Sequence, residues 1–214
     1  MDQEFGFLDP QVPIKETRNR LPHWDQADAA YFITFHLGDS LPVKTRREWR
    51  ERRRQWLIAN PKPWNEIQGD EFREYFGNVD QRLLDQGCGS CFLKSLETRS
   101  LLEYELMKGN GSAFAHYSWV IMPNHVHILT RIYEDSRLSK TIQFWKGASS
   151  RSINKRLGRS GKFWEDLYMD TIIRDYSHFT NCLRYIRNNP VKAGLGTEMY
   201  SLYESELVRD IGFT

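Results

Sequence analysis

Hydrophobic and polar positions follow two different periods along the chain. Short aromatic and β-branched runs are typical of strands, and they predict strands over residues 31–37, 114–122, 125–132 and 170–174. Longer segments with apolar residues three or four positions apart are typical of helices, and they predict helices over residues 45–59, 65–84, 93–107, 138–157 and 177–188. We expect Pro190 to end the last helix, because the residue before a proline avoids helical backbone angles.

The order of these segments indicates an α+β fold. Without the stretch 44–90, which we interpret as a helical insertion, the core reads β-α-β-β-α-β followed by one further helix. This order is typical of the ferredoxin-like plan, an antiparallel sheet with two helices on one face, and the other face is left to carry a site. We therefore predict an N-terminal arm over residues 1–27, one domain over residues 28–195 and a C-terminal tail over residues 196–214.

Composition excludes several classes of protein. The chain has 214 residues, of which 40% are hydrophobic and 27% charged, which is ordinary for a globular domain. It has no apolar run of the length that a membrane span requires, and its start lacks the basic and apolar regions of a secretory signal. Three cysteines are too few for a disulfide scaffold, so we expect a reduced, cytoplasmic protein.

The net charge is only +2, but the charges are unevenly distributed. Residues 136–162 contain eight basic side chains and no acidic one, whereas an ordinary solvated helix face would mix both signs. A second basic run, Lys44–Arg54, is interrupted by Glu48 and Glu51 and is a weaker indication. A basic surface on a nearly neutral protein favours a polyanionic partner.

Two histidines lie two positions apart on the predicted strand over residues 125–132. Side chains at i and i+2 of a strand point to the same face, with Cα atoms about 6.6 Å apart, so His125 and His127 can bind one metal ion. Such a pair also occurs without a metal, and alone it is a weak signal. We expect Val126, between them, to point toward the helices.

Two polar residues on the last predicted helix complement the histidines. Tyr185 and Asn189 are four positions apart and therefore neighbour each other on one helix face. The apolar stripe of the same helix points in another direction and consists of Phe179, Cys182, Leu183 and Ile186. We expect both polar side chains to face a groove beside the packed face. Taken singly, each residue also fits a purely structural role. Tyr185 could be an aromatic residue at the border of the core, and Asn189 a residue that is common at helix ends.

Together these four side chains suggest phosphoryl chemistry. Two imidazole nitrogens and one amide oxygen fill three positions of a divalent ion and leave the others open for phosphate oxygens and water. Mg²⁺ or Mn²⁺ fits such a set of ligands. A tyrosine one helical turn from a ligand can then act as the nucleophile on phosphorus.

Three segments together resemble a known family. WVIMPNHVHILTRI resembles the His-hydrophobe-His motif of the single-tyrosine HUH endonucleases, the IS200-like transposases. LRYIRNNPVKAGL resembles the Tyr-Ile-x-x-Asn-Pro-Val signature of their REP-associated branch, and FWEDLYMDTIIRD resembles the short strand before the nucleophile helix. The likeness covers about residues 31–195, and the fold of that family is the ferredoxin-like plan.

The resemblance implies a metal-dependent endonuclease and strand transferase, a transposase, that acts on single-stranded DNA with a hairpin. It implies metal ligation by His125, His127 and Asn189, and a nucleophilic Tyr185 that forms a 5′-phosphotyrosine and releases a 3′-OH. The protein would work as a monomer or a homodimer, without ATP. We expect phosphate contacts from the basic residues Arg137, Lys140, Lys146, Arg151, Lys155 and Arg156.

Two other functions stay open at this point. The same plan underlies RNA-binding domains. A protein derived from a transposase could also have lost cleavage and still bind DNA. A metal-dependent phosphodiesterase could also use an activated water, with Tyr185 as a bystander.

Further candidate residues have weaker support. Cys88 and Cys91 have zinc-ligand spacing, but a site would need two more ligands, for example His23 or His116. Tyr176 is nine positions from Tyr185, the wrong spacing for a shared helix face. His36 faces away from Ile33 and Phe35 and could therefore approach the active face, although a core or surface position is the more usual one for such a histidine. Trp145 is expected in the core.

Overall fold

A computed structural model describes most of the chain. The described residues are 5–18, 22–61 and 86–211, with the single positions 64, 67, 68, 71, 72, 75 and 84. The predicted helix over residues 65–84 therefore lies largely outside the described residues.

Seven strands and five helices are labelled here in chain order. The strands are β1 (Lys15–Arg18), β2 (Pro22–Asp25), β3 (Ala30–His36), β4 (Phe114–Ile121), β5 (His125–Ile132), β6 (Met169–Ile172) and β7 (Ser201–Glu204). The helices are α1 (Val43–Ala59), α2 (Leu96–Met107), α3 (Leu138–Arg156), α4 (Tyr176–Lys192) and α5 (Glu206–Asp210). Two short 3-10 turns lie at Phe92–Lys94 and Thr197–Met199.

The central sheet confirms the predicted fold class. Within the described residues it has five strands in the order β6-β3-β5-β4-β7, and each neighbouring pair is antiparallel. Strands β3, β4, β5 and β6 are the four strands of the ferredoxin-like plan, and β7 adds a fifth at the edge beside β4. Strands β1 and β2 pair with each other in a separate two-stranded sheet.

Each face of the sheet has its own core, because successive side chains of a strand point to opposite faces. One face packs against α2 and α3, and its core includes Ile33, Phe35, Val126, Ile128 and Trp145. The other face packs against α4 and α5, and its core includes Tyr117, Leu129, Phe179, Leu183 and Ile186. The predictions that Val126 points toward the helices α2 and α3 and that Trp145 is a core residue are thus confirmed.

Helix α4 is longer than the sequence pattern predicts. It includes Pro190 and continues to Lys192, so the prediction that Pro190 ends the helix is wrong. A proline inside a helix loses one backbone hydrogen bond, and here the loss falls in the last turn, where Pro190 is buried and the amide of Ala193 donates to the carbonyl of Asn189 at 3.1 Å. Asn189 therefore has regular helical backbone, one turn after Tyr185.

Both ends of the described chain pack on the domain. Phe5, in the predicted arm, is 5% exposed; its ring lies 5.1 Å from that of Phe179, and its carbonyl accepts from the Tyr117 hydroxyl at 2.9 Å. Strand β7, in the predicted tail, pairs with β4. None of the described helices is long and apolar enough to cross a bilayer.

Candidate active site

The histidine pair lies in the middle of the sheet. Strand β5 carries both residues and is paired on both sides, with Thr34 of β3 opposite His127 and His36 of β3 opposite His125. The two imidazole rings have centroids 4.7 Å apart, and His125 and His127 are 1% and 0% exposed. Because cross-strand partners share a face, all four side chains lie on the face that α4 covers.

Neighbouring side chains hold both imidazoles through their Nδ1 atoms. Asn124 Oδ1 lies 2.7 Å from Nδ1 of His125, while the amide nitrogen of Asn124 donates to the carbonyls of Leu84 and Cys88, both at 3.1 Å. The Asn124 oxygen therefore accepts from His125, which places the ring lone pair on Nε2. Thr34 Oγ1 lies 2.7 Å from Nδ1 of His127 and orients that ring in the same way.

Burial keeps both imidazoles neutral. It lowers the pKa of His127 to about 3. It also lowers the pKa of His125 well below its ordinary value; the nearby His127 and His36 lower this pKa further, whereas the adjacent Asn189 side chain raises it. At neutral pH each ring therefore offers a lone pair without first losing a proton.

Helix α4 brings the two other predicted side chains to the same point. The Tyr185 hydroxyl lies 3.5 Å from Nε2 of His127, and Nδ2 of Asn189 lies 3.4 Å from the same atom. Asn189 is 2% exposed, and within the described residues its Oδ1 has no hydrogen-bond partner. The structure thus places His125, His127, Tyr185 and Asn189 in one cluster within a single chain.

Aromatic packing holds the tyrosine beside the histidines. The ring of Phe32 stacks on His127 at 5.6 Å and meets the edge of Tyr185 at 5.7 Å. Tyr185 lies edge-on to His127 at 5.0 Å between centroids, and Lys192 Nζ lies 6.0 Å from the Tyr185 centroid. Tyr185 itself is only partly buried, so its hydroxyl is positioned by packing at the border between the site and solvent.

The donor set fits a divalent cation. No group of three or more His, Cys, Asp or Glu side chains arranged for a metal occurs in the described part of the chain, so a third ligand has to be of another type. The Asn189 amide meets this need, because a rotation of its side-chain amide exchanges the nitrogen near His127 with the unpartnered oxygen. The amide oxygen and the positions left open to phosphate oxygens and water suit Mg²⁺ or Mn²⁺, and the two neutral imidazoles favour Mn²⁺ of these two.

The predicted basic residues divide into two groups. Arg137, Lys140, Arg151 and Lys155 are exposed at the start and along the outer face of α3. Lys146 instead donates to the backbone carbonyls of Glu165 at 2.6 Å and Asp166 at 3.0 Å, and burial lowers its pKa to about 8. Arg156 forms an ion pair with Glu97. These two cations therefore already have partners inside the molecule.

The sequence does not predict Thr34 or Asn124 as site residues, and it indicates only that His36 could approach this face. Thr34, Asn124 and His36 surround the histidine pair, and His36 is 8% exposed with its Nδ1 2.8 Å from the Leu37 carbonyl. Alternation along β3 places Thr34 and His36 on one face, but their position opposite the pair depends on the register between β3 and β5, which the sequence pattern does not reveal. Asn124 is visible only as a turn residue.

The weaker candidates contribute no side chain to this cluster within the described residues. Tyr176 is at the start of α4, where its ring packs 5.8 Å from Phe5, two and a half turns from Tyr185. Cys88 and Cys91 are free thiols. His116, a candidate zinc partner, is buried and its Nε2 lies 2.9 Å from the carbonyl of Leu106.

A family model places this cluster in a known context. The model described as "Transposase IS200 like" matches residues 98–189. This segment is therefore similar to the IS200-like transposase family. The matched segment contains β4, β5, α3, β6 and α4 up to Asn189, and with them all four clustered side chains, so the resemblance seen in the sequence motifs is confirmed.

Comparison with other proteins adds two solved structures. A REP-associated tyrosine transposase bound to a REP hairpin aligns with 85% of this chain and 76% of its own, at a TM-score of 0.47 and 15% identity. A protein from Deinococcus radiodurans R1, described as a transposase, aligns with 82% of this chain and 97% of its own, at a TM-score of 0.35 and 14% identity. No curated protein matches the chain.

Proposed function

We propose that this protein is a metal-dependent endonuclease and strand transferase that acts on single-stranded DNA with hairpin structure. The observation that carries the proposal is the meeting of the Tyr185 hydroxyl and the Asn189 amide at Nε2 of His127, at 3.5 and 3.4 Å. A binding module that derives from a transposase has no need of a nucleophile beside two neutral imidazoles and an unpartnered amide oxygen.

The Tyr185 side chain is the nucleophile in this proposal. Its oxygen loses a proton and forms a bond with phosphorus, while the bond between phosphorus and the 3′ oxygen breaks and that oxygen takes up a proton. The DNA 5′ end is then held as a phosphotyrosine. Because the new ester keeps the energy of the broken one, the reverse step rejoins strands without ATP.

His125, His127 and Asn189 would hold the cation, with Thr34 and Asn124 orienting the two rings. A bound Mg²⁺ or Mn²⁺ would act as a Lewis acid on the phosphate under attack. Since burial lowers the pKa of His127 to about 3, the ring stays neutral and keeps its lone pair available across the physiological range.

We further propose that one chain carries a complete site. Strand β5 and helix α4 of the same chain supply the two imidazoles, the amide and the phenol. Exchange of α4 with a second copy is therefore not required, and the proposed active form is a monomer in the cytoplasm.

A trapping experiment tests the nucleophile. The protein is incubated with Mn²⁺ and a pool of randomised single-stranded oligonucleotides that carry a hairpin, and SDS-resistant adducts are isolated and their modified peptide identified by mass spectrometry. We expect a nucleotide on Tyr185, no adduct with Tyr185→Phe and none in EDTA. Tyr176→Phe, the matched control on the same helix, should form adducts normally.

Two outcomes would contradict the proposal. Adducts that survive Tyr185→Phe would place the nucleophile elsewhere. Strand cleavage that never leaves protein on DNA would favour a phosphodiesterase that uses water.

A further inference from the structure

The outer face of helix α3 carries a line of exposed cations with one exposed aromatic ring. At 100° per residue, the side chains at positions 140, 144, 147, 151 and 155 fall within an arc of about 80°, and Arg137 precedes the helix as its N-cap residue. This line, which we call the outer stripe, is centred about 130° from the middle of the buried face of α3 and is about 22 Å long from Lys140 to Lys155. Its members are Arg137, Lys140, Phe144, Gly147, Arg151 and Lys155.

The positive charge of the outer stripe is not neutralised within the described part of the protein. None of its four cations forms an ion pair with an acidic side chain among those residues, in contrast to Arg156, which pairs with Glu97, and Lys162, which pairs with Glu165 and Asp166. Four unneutralised cations along one line favour a partner with regularly spaced negative charges.

Phe144 is the unexpected member of this line. Its side chain is 42% exposed, although the neighbouring Trp145 is fully buried. Gly147, less than one turn away, leaves the space beside it open: a Cβ atom there would meet only the Arg151 guanidinium, at 3.6 Å. An exposed ring between cations, with room above it, is the arrangement on which nucleic-acid bases stack.

We propose that the outer stripe binds single-stranded DNA, with its cations on the phosphates and Phe144 stacked on an unpaired base. Helix α3 packs on the sheet face opposite to the one that carries His125 and His127, so this surface is separate from the site of cleavage. The inference rests on the proposed action on single-stranded DNA, but it requires neither a metal nor a phosphotyrosine.

Binding of a fluorescein-labelled oligothymidine, measured by anisotropy in EDTA at several NaCl concentrations, tests the proposal. We expect Phe144→Ala to weaken binding about tenfold, because one base loses its stacking partner, and Phe144→Tyr to bind normally. Lys140→Gln and Lys155→Gln should each reduce the slope of log K against log salt by about 0.7, as expected for one lost phosphate contact on a single strand.

Matched controls show whether the effect belongs to the outer stripe. Tyr104→Ala removes an aromatic ring that is 64% exposed on the adjacent α2, and Lys94→Gln removes an exposed cation outside α3; both should bind like the unmodified protein. Because Phe144 is exposed, its variants should keep the thermal stability of the parent.

The proposal is overturned by any of three results: no binding of oligothymidine, equal binding by Phe144→Ala, or an equal loss for Tyr104→Ala. If Phe144→Ala weakened the binding of a long blunt duplex to the same degree, this would also overturn the proposal, since all its bases except the terminal pairs are already stacked on both faces. Failure of the Tyr185 adduct test leaves all these measurements intact, so the two proposals fail separately.

Discussion

Thr34→Val isolates the contribution of one hydrogen bond to the proposed metal site. Valine has nearly the shape of threonine and favours strands, so the variant should retain β3 and remove only the contact of 2.7 Å between Thr34 Oγ1 and Nδ1 of His127. His127 is 0% exposed, and its Nδ1 would then be buried without this partner. An unsatisfied buried group costs about 1–3 kcal/mol of unfolding free energy.

We expect Thr34→Val to weaken metal binding by a factor near the lower end of the range known for the loss of such an orienting group. Loss of a group that orients a ligand weakens metal affinity by about 10–100-fold. His127 also stacks on Phe32 at 5.6 Å and belongs to a strand paired on both sides, so most of its orientation survives. We therefore expect about a tenfold rise in the Mn²⁺ dissociation constant, or about 1.4 kcal/mol.

Isothermal titration calorimetry with Mn²⁺ and urea unfolding give the two readouts. Thr130→Val is the matched control, because Thr130 is buried on β5, the strand of His127, and its hydroxyl donates to the Ala115 carbonyl at 3.0 Å, away from the histidines. Both variants should lose stability, but only Thr34→Val should lose Mn²⁺ affinity. An equal Mn²⁺ affinity in both, or no Mn²⁺ binding by the parent, would refute the reasoning.

Two further predictions concern buried polar groups. Asn189→Leu should weaken Mn²⁺ binding at least tenfold, because one of the three proposed ligands is lost. Urea unfolding should show little change in stability, since the unpartnered buried oxygen is removed together with the amide nitrogen that lies 3.4 Å from Nε2 of His127; a large loss of stability with unchanged Mn²⁺ binding would contradict this. Burial lowers the pKa of His116 to about 4. Between pH 6.5 and 4 this histidine is therefore protonated in the unfolded chain but remains neutral in the folded chain. Unfolding free energy should thus fall by about 1.4 kcal/mol per pH unit from this residue between pH 6.5 and 4. His116→Gln should flatten the curve measured by urea unfolding, and an unchanged slope would assign the acid sensitivity to other groups.

The sequence pattern predicts the central elements well because their stabilising contacts repeat locally. Strand β5 spans residues 125–132 as predicted, and α3 ends within one residue of its predicted end. The sequence pattern does not predict β7, because its four residues form a strand only through pairing with β4, which is far away in the chain. Helix α4 passes through Pro190 because burial and the closing turn outweigh one missing hydrogen bond.

In the candidate site, too, local contacts can be predicted from the sequence, and contacts between distant parts of the chain cannot. Spacing alone places His125 beside His127 and Tyr185 beside Asn189, since both pairs lie within one element. The partners of the imidazoles come from the register of β3 on β5 and from a turn, which no periodicity encodes. The hydrogen bonds of Lys146 are equally hidden from the sequence pattern, because their acceptors are the carbonyls of Glu165 and Asp166, which a loop brings back to α3.

The position of α4 on the sheet determines the whole site. Its buried stripe packs on the same face that presents the histidines, and Tyr185 and Asn189 lie on one flank of that stripe, one turn apart. Because the nucleophile and the third ligand belong to one rigid helix, a shift of α4 moves both relative to His127 together. The distances of 3.5 and 3.4 Å to the same Nε2 atom therefore depend on the packing of Phe179, Leu183 and Ile186 more than on any direct bond within the site.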